Sequence, residues 1–439
     1  MYLPRSSKWS MTRRRKRPNF FGWTVFGLVL LFGYYFDQVY LPTQPNPFEA
    51  TPTATRSAES FATEAETLFN DGKLTQSIEA YKSAIKSSPQ DPTLYIALAR
   101  AQVFAGFPQD AQSNAENAIL LSPNNSMAHA VLAWALDFQG GAKNNAKALS
   151  AIEDALKYDD HNALAHAYYA EILVDSGVFD NYAKAVEESR VAAALNPNLI
   201  ETHRARAYIL SATGSEGNNY ELAVQELREA IKINKNIALL HMELGKNLRV
   251  LQVYEDAINE FTIANTLYPP DPEPDYLISR TYATEGEYEK ALQYAETAVK
   301  DAPANATYRG NYGLMFYKNF LYTKAVQQLT LAVNGGKTED GLEIQGIPLT
   351  NDVRAAEIYY TYGYALARIN QCGDALRIVQ HMQTELPSDD NVNQAATEIT
   401  NICQENLNNP IVDTPTSIEE VTSTPTKEST LTPEVTATP

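Results

Sequence analysis

The stretch TEGEYEKALQYAETAVKDAPAN, residues 284–305, sets Ala291, Ala298 and Pro303 at offsets of 5, 12 and 17 residues from Gly286. Far upstream, NDGKLTQSIEAYKSAIKSSPQD, residues 70–91, sets Ala84 and Pro89 at offsets of 12 and 17 from Gly72. The prolines carry the same measure along the chain. Pro89 to Pro123 is 34 residues, Pro123 to Pro197 is 74, Pro197 to Pro269 is 72, and Pro269 to Pro303 is 34, each one or two units of 34 to 38. Within a unit, one segment places large apolar residues at i, i+3 and i+7, and a second places small residues where two helices must approach closely. A glycine-containing turn joins them, and the proline closes the second helix because it cannot continue one.

This punctuation resembles the tetratricopeptide repeat family, a helix-turn-helix of about 34 residues with conserved large and small positions. The unit from Ala238 matches closely through His241, Leu244, Gly245, Leu248, Tyr254, Ala257, Phe261, Ala264 and Pro269. Eight further units align at 58–91, 92–125, 126–162, 163–199, 200–237, 272–305, 306–336 and 356–389. The third to fifth carry three or four extra residues in their inner turns, and KTEDGLEIQGIPLTNDV separates the eighth from the ninth. The resemblance implies an all-α, right-handed superhelical solenoid of about nine repeats over residues 58–389. Residues 390–407, with Val392, Ala396, Ile399 and Cys403 on one side, read as the capping helix such arrays need.

The flanks differ in composition. Seven of the 35 basic residues lie within residues 1–18 with no acid, so the remainder carries 28 basic against 53 acidic residues. A body that acidic repels nucleic acid. Residues 19–41 then hold NFFGWTVFGLVLLFGYYFDQVYL, interrupted only by Asp37, which predicts one transmembrane helix. The basic run before it predicts a cytoplasmic N-terminus with the repeats extracytoplasmic. Residues 42–57 read as a Pro/Thr linker. The tail 408–439 contains four Thr-Pro pairs and no aromatic residue, so it cannot bury a core.

Candidate chemistry is sparse. His129, His166, His203 and His241 all fall at position 4 of consecutive repeats. Equivalent positions in stacked helices lie about 8–10 Å apart, too far for one metal, so packing is the expected role and no metal or cofactor is expected. NGGKTED (334–340) lacks the first glycine of a phosphate-binding loop, with Leu331 in its place. No Ser/His/Asp or Cys/His set has a local context, so no catalytic residue and no small-molecule substrate are expected. Cys372 and Cys403, the two cysteines of the chain, meet at one end of the packed ninth repeat and cap, which predicts a disulfide.

The resemblance also implies a concave groove, with positions 5, 9, 12 and 13 of each first helix facing a bound peptide. From the fifth repeat to the ninth these positions supply Arg204, Tyr208, Lys246, Arg249, Tyr276, Arg280, Tyr317, Lys318, Tyr360, Tyr364 and Arg368, with no acid. In the first four repeats they supply Glu66, Asp137, Glu171 and Asp175 against Arg100, with Phe69, Phe104, Trp134 and Phe138 nearby. Arginine pairs bidentately with carboxylates and tyrosine gives contact area at low entropic cost. The expected function is therefore a membrane-anchored scaffold that docks proteins or acidic extended peptides in the basic half of the groove, serving envelope assembly or secretion. The alternatives are a structural stalk and a non-catalytic regulatory subunit of an envelope enzyme.

Overall fold

The computed structural model describes residues 20–36, 38, 56–214, 218–338 and 340–408, so the basic segment 1–18, most of the 42–57 linker and the tail from 409 lie outside the described residues. The chain divides into two units, Met1–Ser57 and Ala58–Pro439.

In the first unit the apolar run forms α1 (Phe20–Tyr35), a helix of 16 residues. At 1.5 Å per residue it is about 24 Å long, short of the roughly 30 Å hydrocarbon core. No helix among the described residues is long and apolar enough to cross a membrane. This corrects the expected transmembrane helix, and with it the single-pass, N-terminus-inside localisation. The expectation counted residues beyond Asp37, whereas the α-helix ends at Tyr35.

The second unit is a stack of antiparallel helix pairs. These are α2 (Ala58–Asn70) with α3 (Leu74–Ser87), α4 (Pro92–Phe104) with α5 (Pro108–Leu121), and α6 (Ser126–Phe138) with α7 (Ala142–Tyr158). There follow α8 (Ala163–Asp175) with α9 (Asn181–Leu195), α10 (Ile200–Ala212) with α11 (Asn219–Ile233), and α12 (Ala238–Val250) with α13 (Tyr254–Leu267). The last pairs are α14 (Glu273–Thr284) with α15 (Tyr288–Asp301), α16 (Ala306–Lys318) with α17 (Tyr322–Asn334), and α18 (Val353–Arg368) with α19 (Cys372–Glu385), closed by α20 (Asp390–Asn408). Helix α7 runs 17 residues where α5 runs 14, so the third repeat's extra residues lengthen a helix rather than forming a loop.

Local chemistry sets the boundaries. Asp91, Asn125, Asn162, Asn305 and Asp352 cap first helices by accepting hydrogen bonds from backbone N–H groups of the opening turn. Within each pair a small residue lets the backbones close. A Cβ on Gly245 would stand 2.5 Å from the Phe261 ring, and one on Gly313 would stand 2.6 Å from Leu329, so the large residue of the second helix fills the space that glycine leaves. Ala257 and Ala264 are buried on either side of Phe261.

Successive pairs are tied by a recurrent bond. The position-4 side chain reaches the carbonyl oxygen six residues back, where the previous helix has ended. His129 meets Pro123 O at 2.9 Å, His166 meets Asp160 O at 3.0 Å, and His241 meets Lys235 O at 2.9 Å. Arg309 does the same to Pro303 O at 2.6 Å. The imidazole Nδ1 atoms of His166, His203 and His241 lie 2.6–2.7 Å from Glu188, Glu226 and Glu260 on the second helices. The histidine ladder is thus a packing device.

The segment between α17 and α18 folds back as a two-stranded antiparallel hairpin, β1 (Gly336–Lys337) with β2 (Glu343–Ile344). Ile344 is buried, Ile347 N–H donates to Ala332 O, and the Tyr359 hydroxyl donates to Ile347 O at 2.8 Å. The ninth pair therefore stays stacked on the eighth. Cys372 and Cys403 form a disulfide with Cα atoms 5.5 Å apart, joining the start of α19 to α20. The loop it closes corresponds to about 3.5 kcal/mol in the chain-entropy model.

Most turns between paired helices have a position at positive φ. Gly72, Gly106 and Gly286 occupy it at 77°, 79° and 83°, while Gln252, Phe320 and Asn370 occupy the equivalent place at 61–63°. A Cβ on Gly286 would meet open space, but one on Gly72 would stand 2.3 Å from Asn236 O, because the superhelix brings the end of the fifth repeat against the first. Alanine at either site carries the left-handed strain of about 1–2 kcal/mol. Gly72→Ala should add at least about 1 kcal/mol more through backbone collision. Urea midpoints of the two variants check this, and equal losses would show that the first and fifth repeats do not touch.

Candidate peptide-docking face

The superhelix is tight enough that the concave face of repeats 1–5 is filled by its own side chains. Asn236 Nδ2 donates to Asn70 O at 2.8 Å across the coil. Trp134 and Tyr168 stack at 4.5 Å and neither exposes any surface, with Phe104 and Phe138 packed edge-on to Trp134. Arg100 stands over Phe69 and Phe104, and its Nε donates to Glu201 at 2.5 Å, joining the second repeat to the fifth.

Arg204, expected as a groove contact, is buried instead. Its Nη1 donates to both Glu171 oxygens at 2.7–2.8 Å and its Nε to Glu243 at 2.8 Å, while the guanidinium lies over Trp134 and Phe138. It holds the fourth, fifth and sixth repeats together and offers no free charge. Tyr208 donates its hydroxyl to Asp175. Tyr276 is also buried, with Tyr308 at 5.2 Å.

Two more expected cations are paired. Lys246 Nζ lies 2.8 Å from Glu273, both exposed, and Arg280 Nη1 lies 2.8 Å from Glu357, across from the seventh repeat to the ninth. Arg100, Lys246 and Arg280 all occupy position 9 of their repeats, and Glu201, Glu273 and Glu357 all occupy position 2. The acids were missed because position 2 lies outside the set assigned to the groove. Position 2 also holds Glu59, and the paired repeats stand three, one and two apart, so repeat register alone does not match each cation to its acid.

Arg249 differs. It is half-buried, and among the described residues its guanidinium has neither an ion pair nor a hydrogen bond. Burial and the neighbouring Arg280 and Arg354 guanidinium groups lower its pKa from the ordinary arginine value. Three like charges therefore gather where the sixth, seventh and ninth repeats converge. Beyond them Tyr360 and Tyr364 approach at 6.3 Å, Tyr364 and Tyr317 at 6.1 Å, and Tyr317 and Tyr322 at 5.5 Å, all partly exposed. The Tyr364 hydroxyl donates to Glu398 of α20 at 2.6 Å. Arg368 is exposed beside Tyr317, and Lys318 lies 5.9 Å from the Tyr288 ring.

A cavity of about 390 Å³ opens where the first three repeats face the sixth and seventh, lined by Leu74, Phe104, Phe138, Met242, Lys246 and Glu273 among others. Three ligating atoms come within 4.8 Å among the described residues only at Asp159, Asp160 and His161, on an exposed turn of the kind common without a metal.

This geometry has counterparts. A chain of the APC/C hetero-tetramer Cut9-Hcn1 is similar to this one at a TM-score of 0.54 and 15% identity, covering 71% of this chain and 56% of that chain. The protein has the tetratricopeptide-repeat fold. Residues 276–339 also match the tetratricopeptide repeat family model directly. The chain spans little more than half the length of that structural neighbour. Pseudomonas aeruginosa PilF gives a TM-score of 0.42 at 17% identity, covering 54% of this chain and 96% of that one. Yeast Tom70 gives 0.38 at 14%, covering 80% and 96%. Likenesses that loose carry no argument. No curated protein matches the sequence.

The filled half of the tetratricopeptide array titrates. Burial, the nearby Asp175 and Glu171 charges and a hydrogen bond with Asp175 push Asp137 up to about 8. Burial likewise pushes Glu171 up to about 7 against the pull of Arg204. Both folded values lie above the ordinary ones, so the folded state binds more protons and its stability is fully present below about pH 4. That contribution is lost as pH rises through 7 to 8. Asp137→Asn keeps the shape without the charge. Urea titrations should show it stabilising the array at about pH 8.5 by more than about 1 kcal/mol over its effect at about pH 4. An equal effect at both values would mean that Asp137 is not protonated in the folded array.

Proposed function

We propose that the protein is a non-catalytic interaction module. Its tetratricopeptide array docks an extended acidic segment of a partner protein along the concave face of repeats 6–9. The observation that carries this reading is Arg249, a half-buried guanidinium without a counter-ion among the described residues, held beside Arg280 and Arg354. A carboxylate seated there would gain a charge-assisted bidentate bond and relieve the repulsion among three cations. The partly exposed Tyr317, Tyr360 and Tyr364 extend the face with rigid aromatic surface. Glu357 neutralises Arg280 and so tempers the site.

Fluorescence anisotropy with a labelled Glu/Asp-rich peptide tests it. Arg249→Ala should weaken binding roughly tenfold, equivalent to about 1.4 kcal/mol. Glu357→Gln should tighten it by removing a competing carboxylate, and wild-type affinity should fall with salt. Binding that ignores both substitutions and salt would place the partner elsewhere.

A further inference from the structure

The rim of this face holds an exposed aromatic side chain on a left-handed turn residue. Phe320 sits at φ 61°, in the turn position that glycine fills in the first, second and seventh repeats, and 76% of its surface is exposed. A bulky aromatic in the left-handed region is strained, and strain of this kind concentrates at functional surfaces. Phe320 stands edge-on to Tyr322 at 6.3 Å, which continues through Tyr317, Tyr364 and Tyr360 at 5.5–6.3 Å. A stripe of aromatic rings thus runs from the edge of the array into the groove, flanked by Arg368. Stripes of this composition suit extended proline-containing chain, whose rings and fixed φ present apolar edges at low entropic cost.

The chain itself carries such a segment. Residues 409–439 hold Pro410, Pro415, Pro425, Pro433 and Pro439, with Asp413, Glu419, Glu420, Glu428 and Glu434 against Lys427 alone. Helix α20, which precedes the segment, ends at the edge of the array that carries the stripe. Asn406 Nδ2 donates to Ala367 O at 2.8 Å and Cys403 is bonded to Cys372, so α20 ends beside the turn that follows α18. Arg368 and Tyr317 lie at that same edge. From Asn408, 31 residues at about 3.1 Å each span roughly 95 Å, far more than the stripe and the Arg249 cluster require.

We propose that the acidic Thr/Pro tail, residues 409–439, docks in cis along the stripe Phe320–Tyr322–Tyr317–Tyr364–Tyr360, anchored by Arg368, and occupies the groove until a partner displaces it. This rests on the basic groove as a docking face but on rim residues distinct from Arg249.

Lys427 is the one lysine or arginine of the tail, so trypsin reports its occupancy. Release of residues 428–439 from the full chain is followed by mass spectrometry beside the synthetic peptide 409–439. With an effective concentration on the order of 1 mM and a Kd of about 100 µM, cleavage in the full chain should be about tenfold slower. Phe320→Gly, which relieves backbone strain, and Tyr364→Ala should each bring the rate toward that of the peptide. Protection should not depend on protein concentration. Cleavage at the free-peptide rate, or protection that survives both substitutions, overturns the proposal. Protection that grows with concentration assigns the tail to a second copy and overturns the cis arrangement. If the tail is free while Glu/Asp-rich peptide still binds through Arg249, the docking function stands and only the tail's role fails. If that peptide does not bind at all, the groove itself is wrong.

Discussion

Arg204 is the constraint around which the array is wound. A guanidinium removed from water must be neutralised and hydrogen-bonded, and Glu171 and Glu243 do so from the repeats on either side. Because the three charges come from three successive first helices, satisfying them draws those helices together on the concave side. The aromatic faces of Trp134 and Phe138 cover the cation and exclude solvent. The coil becomes tight enough for Arg100 to reach Glu201 and for Asn236 to reach the first repeat. Curvature and groove filling therefore have one cause.

The consequence for function is a division of labour along a single solenoid. The first five repeats spend their concave surface on holding themselves together, at the cost of raised carboxyl pKa values and buried oxygens without partners on Asp137 and Glu201. The later repeats keep tyrosine and arginine partly exposed there. Interactions between neighbouring repeats carry the stability of such arrays, so the filled first half gives the later repeats a fixed edge to stack on.

The repeat itself was legible because its signals are local. Gly286, Ala291, Ala298 and Pro303 act within one helix pair, and the structure places all four where turn, close approach and helix end demand them. The curvature was not legible, because Arg100 and Glu201 lie 101 residues apart and no local pattern joins them. Counting charge by groove position alone made Arg204, Lys246 and Arg280 look free. Glu171 and Glu243 neutralise Arg204 from positions 9 and 6 of the two neighbouring repeats, and the acids paired with Lys246 and Arg280 sit at position 2 of later repeats, where no groove residue was sought. Length misled in another way: a run of apolar residues read through Asp37 suggested a membrane span, whereas the α-helix covers Phe20–Tyr35 and is too short for one. The disulfide was legible, since two cysteines on antiparallel helices at one end of a packed pair have a single way to meet.

The central claim is that one half of the concave face is closed and the other open to ligand. Backbone hydrogen exchange of the full chain, with and without saturating Glu/Asp-rich peptide, tests it most directly, since each first helix reports separately. The account expects added protection in α12, α14, α16 and α18, with α4, α6, α8 and α10 unchanged. Protection appearing in α4 to α10 instead would mean that the filled half opens to bind, and that the basic tyrosine face is not the docking surface.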